Sequence, residues 1–353
     1  MVETRKVQVT GGSTYTVSIP KEWATDNGVS AGTEVEFYPE SDSLFLTPVS
    51  DEERTEGTLD IGDLAGDQLT RAVMTMYVSG FDIIALENSR ITNDQRRTIR
   101  EATQSLVGLE VLEETRDRVV IRDLLDSSEL SIHNAVTRMR LISLSMLEDA
   151  LAALAELDRD MARDVIQRDD DVDRLWMVVS RIFRATLRTP KAAEDIGLSR
   201  EVCFDYHSSA RQLERVADHA TKIAHLTLEL LGSEEADAVG GEVPTPENAV
   251  GEVLPAEFNE ALQALDEDAR EVVDRAMEAL FADDSAEATE LANEARGAVL
   301  GVDQRAREID ELLRELDPAR AQLLGLIVDS VSRSADYGGN IAETALQKAA
   351  PTP

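Results

Sequence analysis

One cysteine, Cys203, stands among 353 residues. That excludes an internal disulfide framework and any cysteine-rich zinc site, and it implies a reducing compartment. Aromatic residues are few, at 4%, and basic charge is scarce: 35 Lys and Arg stand against 70 Asp and Glu, a formal net charge of −35. The lysines are Lys6, Lys21, Lys191, Lys222 and Lys348, so arginine supplies nearly all the positive charge. No apolar run approaches the roughly 18 residues of a membrane span. The N-terminus has no apolar signal region either, so a cytoplasmic location is expected. The acidity runs through nearly the whole chain rather than a tail. This fits a soluble protein of a high-salt, halophilic cytoplasm, where screening suppresses self-repulsion. An acidic disordered chain is excluded, because 42% of the residues are hydrophobic and they recur periodically.

What is present changes texture twice, so the chain reads as multidomain. From residue 1 to 50, short alternating runs (KVQV, YTVSIP, EVEFYP, LFLTP) are separated by GG, NG, AG and DS turns, the pattern of short strands. Between them PKEWATDNG forms one or two helical turns, opened by Pro20 and closed by Gly28. From 51 to 126, FDIIALE, LEVLEET and RVVIRDLL read as strands, and the stretches around GDQLTRAVMTMYV and NDQRRTIREATQSL as helices. This is a small α/β linker domain. It carries no nucleophile elbow, glycine-rich phosphate loop, HExxH or CxxC, so no chemistry is assigned to it. From Ser127 to about Leu346 the spacing is helical throughout, divided into 127–232 and 256–347 by the Gly/Pro/acid-rich linker 233–255.

Within the first segment, Arg5-Lys6-Val7-Gln8-Val9-Thr10, then Thr16-Val17-Ser18-Ile19-Pro20-Lys21-Glu22, then Gly28-Val29-Ser30-Ala31-Gly32-Thr33-Glu34-Val35-Glu36 resemble the AbrB/SpoVT/MazE family of swapped-hairpin dimers. The resemblance implies a β-barrel-like homodimer that contacts DNA through its early strands and the Gly11-Gly12 loop, with Arg5, Lys6 and Lys21 on phosphates. Composition pulls the other way, since residues 1–50 hold three Lys/Arg against seven Asp/Glu. Only Thr4 to Trp23 is locally positive. The segment therefore either binds DNA or serves solely as a dimerisation clip.

The helical remainder contains a weak internal repeat. LERVADHATKIAHL (213–226) aligns with VSRSADYGGNIAET (331–344), and DDDVDRL (169–175) is paired with RAREIDEL (305–312). Two three-helix units joined by a linker, together with the LERVADHATKIA stretch and the preceding DDDVD, look like the PhoU family of phosphate-signalling helical proteins.

On a helical wheel Leu213, Val216, Ala217, Ala220, Ile223 and Ala224 form one apolar stripe. Glu214 and Asp218 fall off it in the direction of His207 and His225, which predicts a surface stripe of these four. On the preceding helix Val165, Val172, Trp176, Val179 and Phe183 point inward, and Asp169 and Asp173 lie on the boundary. If the two helices pack antiparallel, four carboxylates meet on one face, an oxygen-rich set with imidazole nearby that suits Fe, Mn, Mg or Zn as a divalent or trivalent cofactor. The resemblance independently implies such a cluster, since PhoU-family surface metal clusters use the same E/D-x-x-x-D pattern. Against it, acidic pairs at this spacing are frequent in so acidic a chain, and surface acids are usually just solvated. In the second copy Ser332 stands for Glu214 and Ala306 for Asp169, leaving Asp310 and Asp336, with Asp303 and Glu343 as further candidates.

The expectation is a cytoplasmic, dimeric, non-enzymatic regulator of phosphate uptake, in which a DNA-binding dimer is fused to a metal-binding PhoU-like domain that meets a phosphate ABC transporter or signalling proteins. A transporter-docking adaptor whose N-terminal unit only dimerises is the second reading. A metal-dependent enzyme on the bundle is the third, disfavoured by the outward stripe and by the lack of inward Glu-x-x-His motifs.

Overall fold

The computed structural model describes residues 3–40, 42–49, 54–124, 131–232 and 254–351. The chain divides into two compact units, Met1–Arg54 and Thr55–Pro353. Most of the expected 233–255 linker, and the 126/127 boundary, lie outside the described residues.

In the first unit β1 (Gln8–Thr10) and β2 (Thr14–Thr16) pair antiparallel across Gly11 and Gly12, whose φ of +65° and +83° suits glycine. A short helix α1 (Lys21–Asp26) follows, and then the hairpin of β3 (Val35–Glu40) and β4 (Ser43–Pro48). Tyr38 is the one buried hydrophobic of this unit among the described residues, while Val7, Val9, Tyr15, Val17, Phe37 and Leu44 are exposed.

The second unit opens with an α/β layer: β5 (Glu56–Asp60), α2 (Gly66–Val78), β6 (Ile83–Glu87), α3 (Asn93–Gln104), β7 (Leu109–Glu114) and β8 (Arg118–Asp123). The sheet order is β5-β6-β8-β7, with β5 parallel to β6 and the other pairs antiparallel. Strand β5 was not expected from its sequence, Glu-Gly-Thr-Leu-Asp, which has no apolar alternation. It pairs because its buried Gly57 leaves room for neighbours: a Cβ there would lie 2.5 Å from Met76 Cε and 2.7 Å from Phe81 Cδ1. Helix α3 starts on a capping box between Thr92 and Gln95.

Among the described residues seven helices follow: α4 (Ile132–Glu156), α5 (Arg159–Arg188), the short α6 (Pro190–Ile196), α7 (Arg200–Leu230), α8 (Ala256–Phe281), α9 (Ser285–Leu313) and α10 (Pro318–Ala349). Ser131, Asp158, Ser199, Asp284 and Asp317 cap α4, α5, α7, α9 and α10 with their side-chain oxygens. One continuous apolar core runs through both three-helix groups. Gly338 permits the close approach of α10 to α8, since a Cβ there would lie 2.9 Å from the backbone nitrogen of Val273.

Burial fixes how the two groups correspond. Leu213, Ala217, Ala220 and Ala224 of α7 answer Val331, Ala335, Gly338 and Ala342 of α10, as the sequence comparison proposed. On α5 and α9, however, the buried Ala162, Val165, Val172 and Val179 answer Ala292, Ala295, Val302 and Ile309. The pairing of DDDVDRL with residues 305–312 is therefore displaced by two helical turns. Asp173 corresponds to Asp303, not Asp310, and Asp169 to Val299 rather than Ala306. The error arose because a helix repeats its face every seven residues, so a two-turn slip keeps the apolar pattern. In the α7–α10 register His219 and Tyr337 are equivalent, and they meet each other, His219 Nε2 lying 3.3 Å from the Tyr337 hydroxyl.

The α/β layer does not stand apart from the helices. Arg181 of α5 is buried beneath it, donating to the carbonyls of Tyr77 (2.7 Å) and Phe81 (3.1 Å) and pairing with Asp123 (2.7 Å) and Asp82 (3.1 Å). Arg174 adds a bond to the Ser105 carbonyl at 3.2 Å.

On α8, Asp266 is buried against Arg270 at 2.8 Å, and its Oδ1 has no hydrogen-bond partner. Burial, only partly countered by Arg270, pushes its carboxyl up to about 6. Between about pH 4 and 6 the folded chain therefore holds a proton that the unfolded chain has released, so this group's contribution to stability falls as pH rises through that window. Asp266→Asn should flatten that part of a urea-midpoint profile and raise the midpoint at pH 7.5 relative to wild type. An unchanged profile would show that the buried acid is not the source.

Candidate functional site

Helices α5 and α7 pack side by side and bring Asp169 within electrostatic reach of Asp173 and Asp218, and Glu214 within reach of Asp218 and Asp173. Burial raises the Asp169 carboxyl to about 6, with Asp173 and Asp218 adding to the shift. Glu214 rises to about 7, first through burial and then through the Asp218 charge. Asp173 and Asp218 are raised as well, by burial foremost. Four like charges thus share one face and resist full ionisation, which a cation would relieve.

The face is not the open stripe that the wheel predicts. Glu214 is only 8% exposed; its Oε1 accepts from Arg211 Nη1 at 2.6 Å, and its Oε2 is buried without a hydrogen-bond partner. The wheel weighed a single apolar stripe, whereas α7 is covered by α4, α5 and α10, which leaves little of it free. Asp218 and His225 are exposed. His207 is stacked between Phe183 and Trp176, at centroid distances of 4.5 and 4.7 Å. Burial and the nearby Arg184 and Arg211 push it down to about 4, and its ring packs between the two aromatics rather than on the open stripe expected of it. Among the described residues no hydrogen bond or ion pair links His225 to the acids. Trp176 and Phe183 are half-buried rather than fully inside, and Cys203 is buried, its thiol pushed up to about 11.

The structure gives Arg211, which the sequence analysis did not single out, a defined place: its guanidinium lies 5.4 Å from the Trp176 ring centroid and tethers Glu214. The Arg-x-x-Glu spacing was the available signal. Among the described residues no three His, Cys, Asp or Glu side chains converge as they stand on a point fit for a metal ion. The orphaned Glu214 Oε2 and the all-oxygen donor set still fit a hard cation, which would have to draw Asp173 and Asp218 inward.

In the second group Asp303 and Asp336 face each other. Asp336 is raised by burial and then by Asp303, and the Ser332 hydroxyl donates to Asp303 at 3.3 Å. Asp310 is exposed elsewhere on α9.

In the first unit Arg5, Lys6 and Lys21 are all exposed. Arg5 pairs with Glu3 and lines a recess with Val17, Ile19 and Trp23. Because β1 begins only at Gln8, Arg5 and Lys6 precede the strand rather than lie on it.

Comparison with known proteins matches these parts separately. Residues 136–227 match the PhoU domain family, and residues 8–54 match the MazE family described as an antidote-toxin recognition bacterial antitoxin. The phosphate-specific transport system accessory protein PhoU homologue of Clostridium acetobutylicum is 28% identical over 120 residues, 33% of this chain and 53% of that protein. Its counterpart in Pseudomonas aeruginosa is 28% identical over 148 residues, 41% and 58% of the two chains. The chain spans little more than half the length of these curated relatives. The crystal structure of PhoU from Pseudomonas aeruginosa superposes with a TM-score of 0.43 at 22% identity, covering 61% of this chain and 93% of that one. Residues 136–227 are thus similar to the PhoU domain and residues 8–54 to the MazE family, and among the described residues no helix is long and apolar enough to cross a membrane.

Proposed function

We propose that this chain is a non-enzymatic regulator of phosphate uptake, whose α5–α7 carboxylates hold a metal cation and whose N-terminal unit dimerises and contacts DNA. One observation carries the reading: Asp169, Asp173, Glu214 and Asp218 share a single face within the stretch that matches the PhoU domain. A divalent or trivalent ion, Fe, Zn, Mn or Mg, would be held by these oxygens and would supply compensating positive charge. The relatives' printed role in phosphate-specific transport supports a phosphate ABC transporter or its signalling proteins as the partner. The MazE match and the exposed Val7, Val9, Tyr15 and Val17 support a homodimer, since so short a segment cannot bury a core alone. Arg5, Lys6 and Lys21 are the DNA-contacting cations in this reading.

The adaptor reading, in which the N-terminal unit only dimerises, is favoured by its three Lys/Arg against seven Asp/Glu. Chromatin immunoprecipitation with and without phosphate separates the two, with enrichment at discrete promoters expected for the regulator. Lys6→Glu should abolish sequence-selective retention of those fragments at molar potassium while the dimer elutes unchanged from a sizing column. At such salt counterion release contributes little, so retention must come from base and shape contacts. Wild-type protein that retains no fragment selectively would leave the adaptor.

A further inference from the structure

At one end of the bundle a groove of about 640 Å³ opens between the C-terminal part of α5, the first turns of α7 and the end of α10. Its walls are apolar: Phe183 and Leu187 from α5, Val202 and Phe204 from α7, with Leu187 56% and Phe204 51% exposed. The volume falls within the range of about 300–1,000 Å³ usual for small-ligand pockets.

Into this groove comes Asp205, a carboxylate only 8% exposed. None of the described residues forms a hydrogen bond or ion pair with it. Lys348, whose charge acts on it, is engaged instead with the carbonyls of Leu280 at 2.8 Å and Ala282 at 3.2 Å. Packing does not demand an acid here, since in the α7–α10 register the equivalent position is Leu323. With no protein donor among the described residues, the Asp205 carboxylate is left to pair with a donor that enters the groove. Burial accordingly raises it to about 6, with Glu201 adding to the shift and Lys348 opposing it.

We propose that this groove binds a small ligand made of an ammonium group on an apolar body, the ammonium pairing with Asp205 and the apolar part lying on Phe183, Phe204 and Leu187. The remaining charged lining, Arg200 and Lys348 against Glu201, leaves the ligand free to be a simple amine or an apolar amino acid. Both share the ammonium chemistry.

Isothermal titration of the full chain at pH 7.5 with 2-phenylethylamine, phenylalanine and 3-phenylpropionate distinguishes these. The amine is expected to bind and the propionate not. Phenylalanine binding tighter than the amine would assign its carboxylate to Arg200 and Lys348 and make the ligand an amino acid; weaker binding would make it a simple amine. Asp205→Asn should weaken amine binding by about tenfold or more, the size expected for a lost charged hydrogen bond. The proposal fails if neither ammonium compound binds wild type, if the propionate binds as well as the amine, or if folded Asp205→Asn binds the amine unchanged.

Discussion

Replacing Arg181 by methionine is expected to destabilise the chain by about 3–5 kcal/mol, the loss usual when one partner of a buried ion pair is removed. The side chain is 10% exposed and its partner Asp123 only 3%. One guanidinium serves two carboxylates and two backbone carbonyls, and it lies 4.9 Å from the Tyr77 ring centroid. Methionine fills much of the volume but strips all four oxygens of this donor. Lysine should recover little, because a point charge cannot reproduce the planar fork. Urea unfolding followed by circular dichroism, with hydrogen exchange of β6 and β8, provides the measurement. A midpoint within error of wild type would mean that Arg181 does not hold the α/β layer to α5.

The second large effect concerns the carboxylate face. The double variant Glu214→Gln, Asp218→Asn should lose bound metal by about tenfold or more, because the charge of the oxygen donors governs affinity for hard cations. Asp336→Asn should change metal content much less. Its helix pair keeps only Asp303 and Asp336, with Ser332 and Val299 where the first group has Glu214 and Asp169. Elemental analysis of protein purified without chelator reads both. Unchanged content in the double variant, or none in wild type, would leave the four acids as a repulsive cluster without an ion. Because the variants remove like charges from one another, the metal-free double variant should be at least as stable as wild type at pH 7.5. That separates a ligand role from a structural one.

Much of this was legible in the sequence. The alternation of β3 and β4, the span of α2 and the stripe of Leu213, Val216, Ala217 and Ala220 on α7 depend on local periodicity, and the structure has them where the pattern placed them. The wheel placed Asp169 and Asp173 on a helix boundary and left their meeting with Glu214 and Asp218 to the packing of the two helices. What escaped was set by neighbours distant in the chain. Gly57 looks like a breaker until Phe81 and Met76 close over it. Glu214 looks solvated until the helices packed on α7 bury it and Arg211 turns back on it. His207 looks like a ligand until two aromatic rings enclose it. The slip from Asp303 to Asp310 came from a pattern that a two-turn shift leaves intact, and only the buried positions of α9 could break the tie.

The meeting of His219 with Tyr337 follows from joining two related halves in one chain. In an assembly of identical subunits, any residue on a two-fold axis faces its own copy, so a histidine there would meet a histidine and the two would repel once both were protonated. Tandem fusion removes that identity. One half can present an imidazole and the other a phenol, a donor matched to an acceptor across what would otherwise be a self-contact. The same freedom lets one half hold four carboxylates and the other two, a division of labour that no pair of identical subunits can adopt.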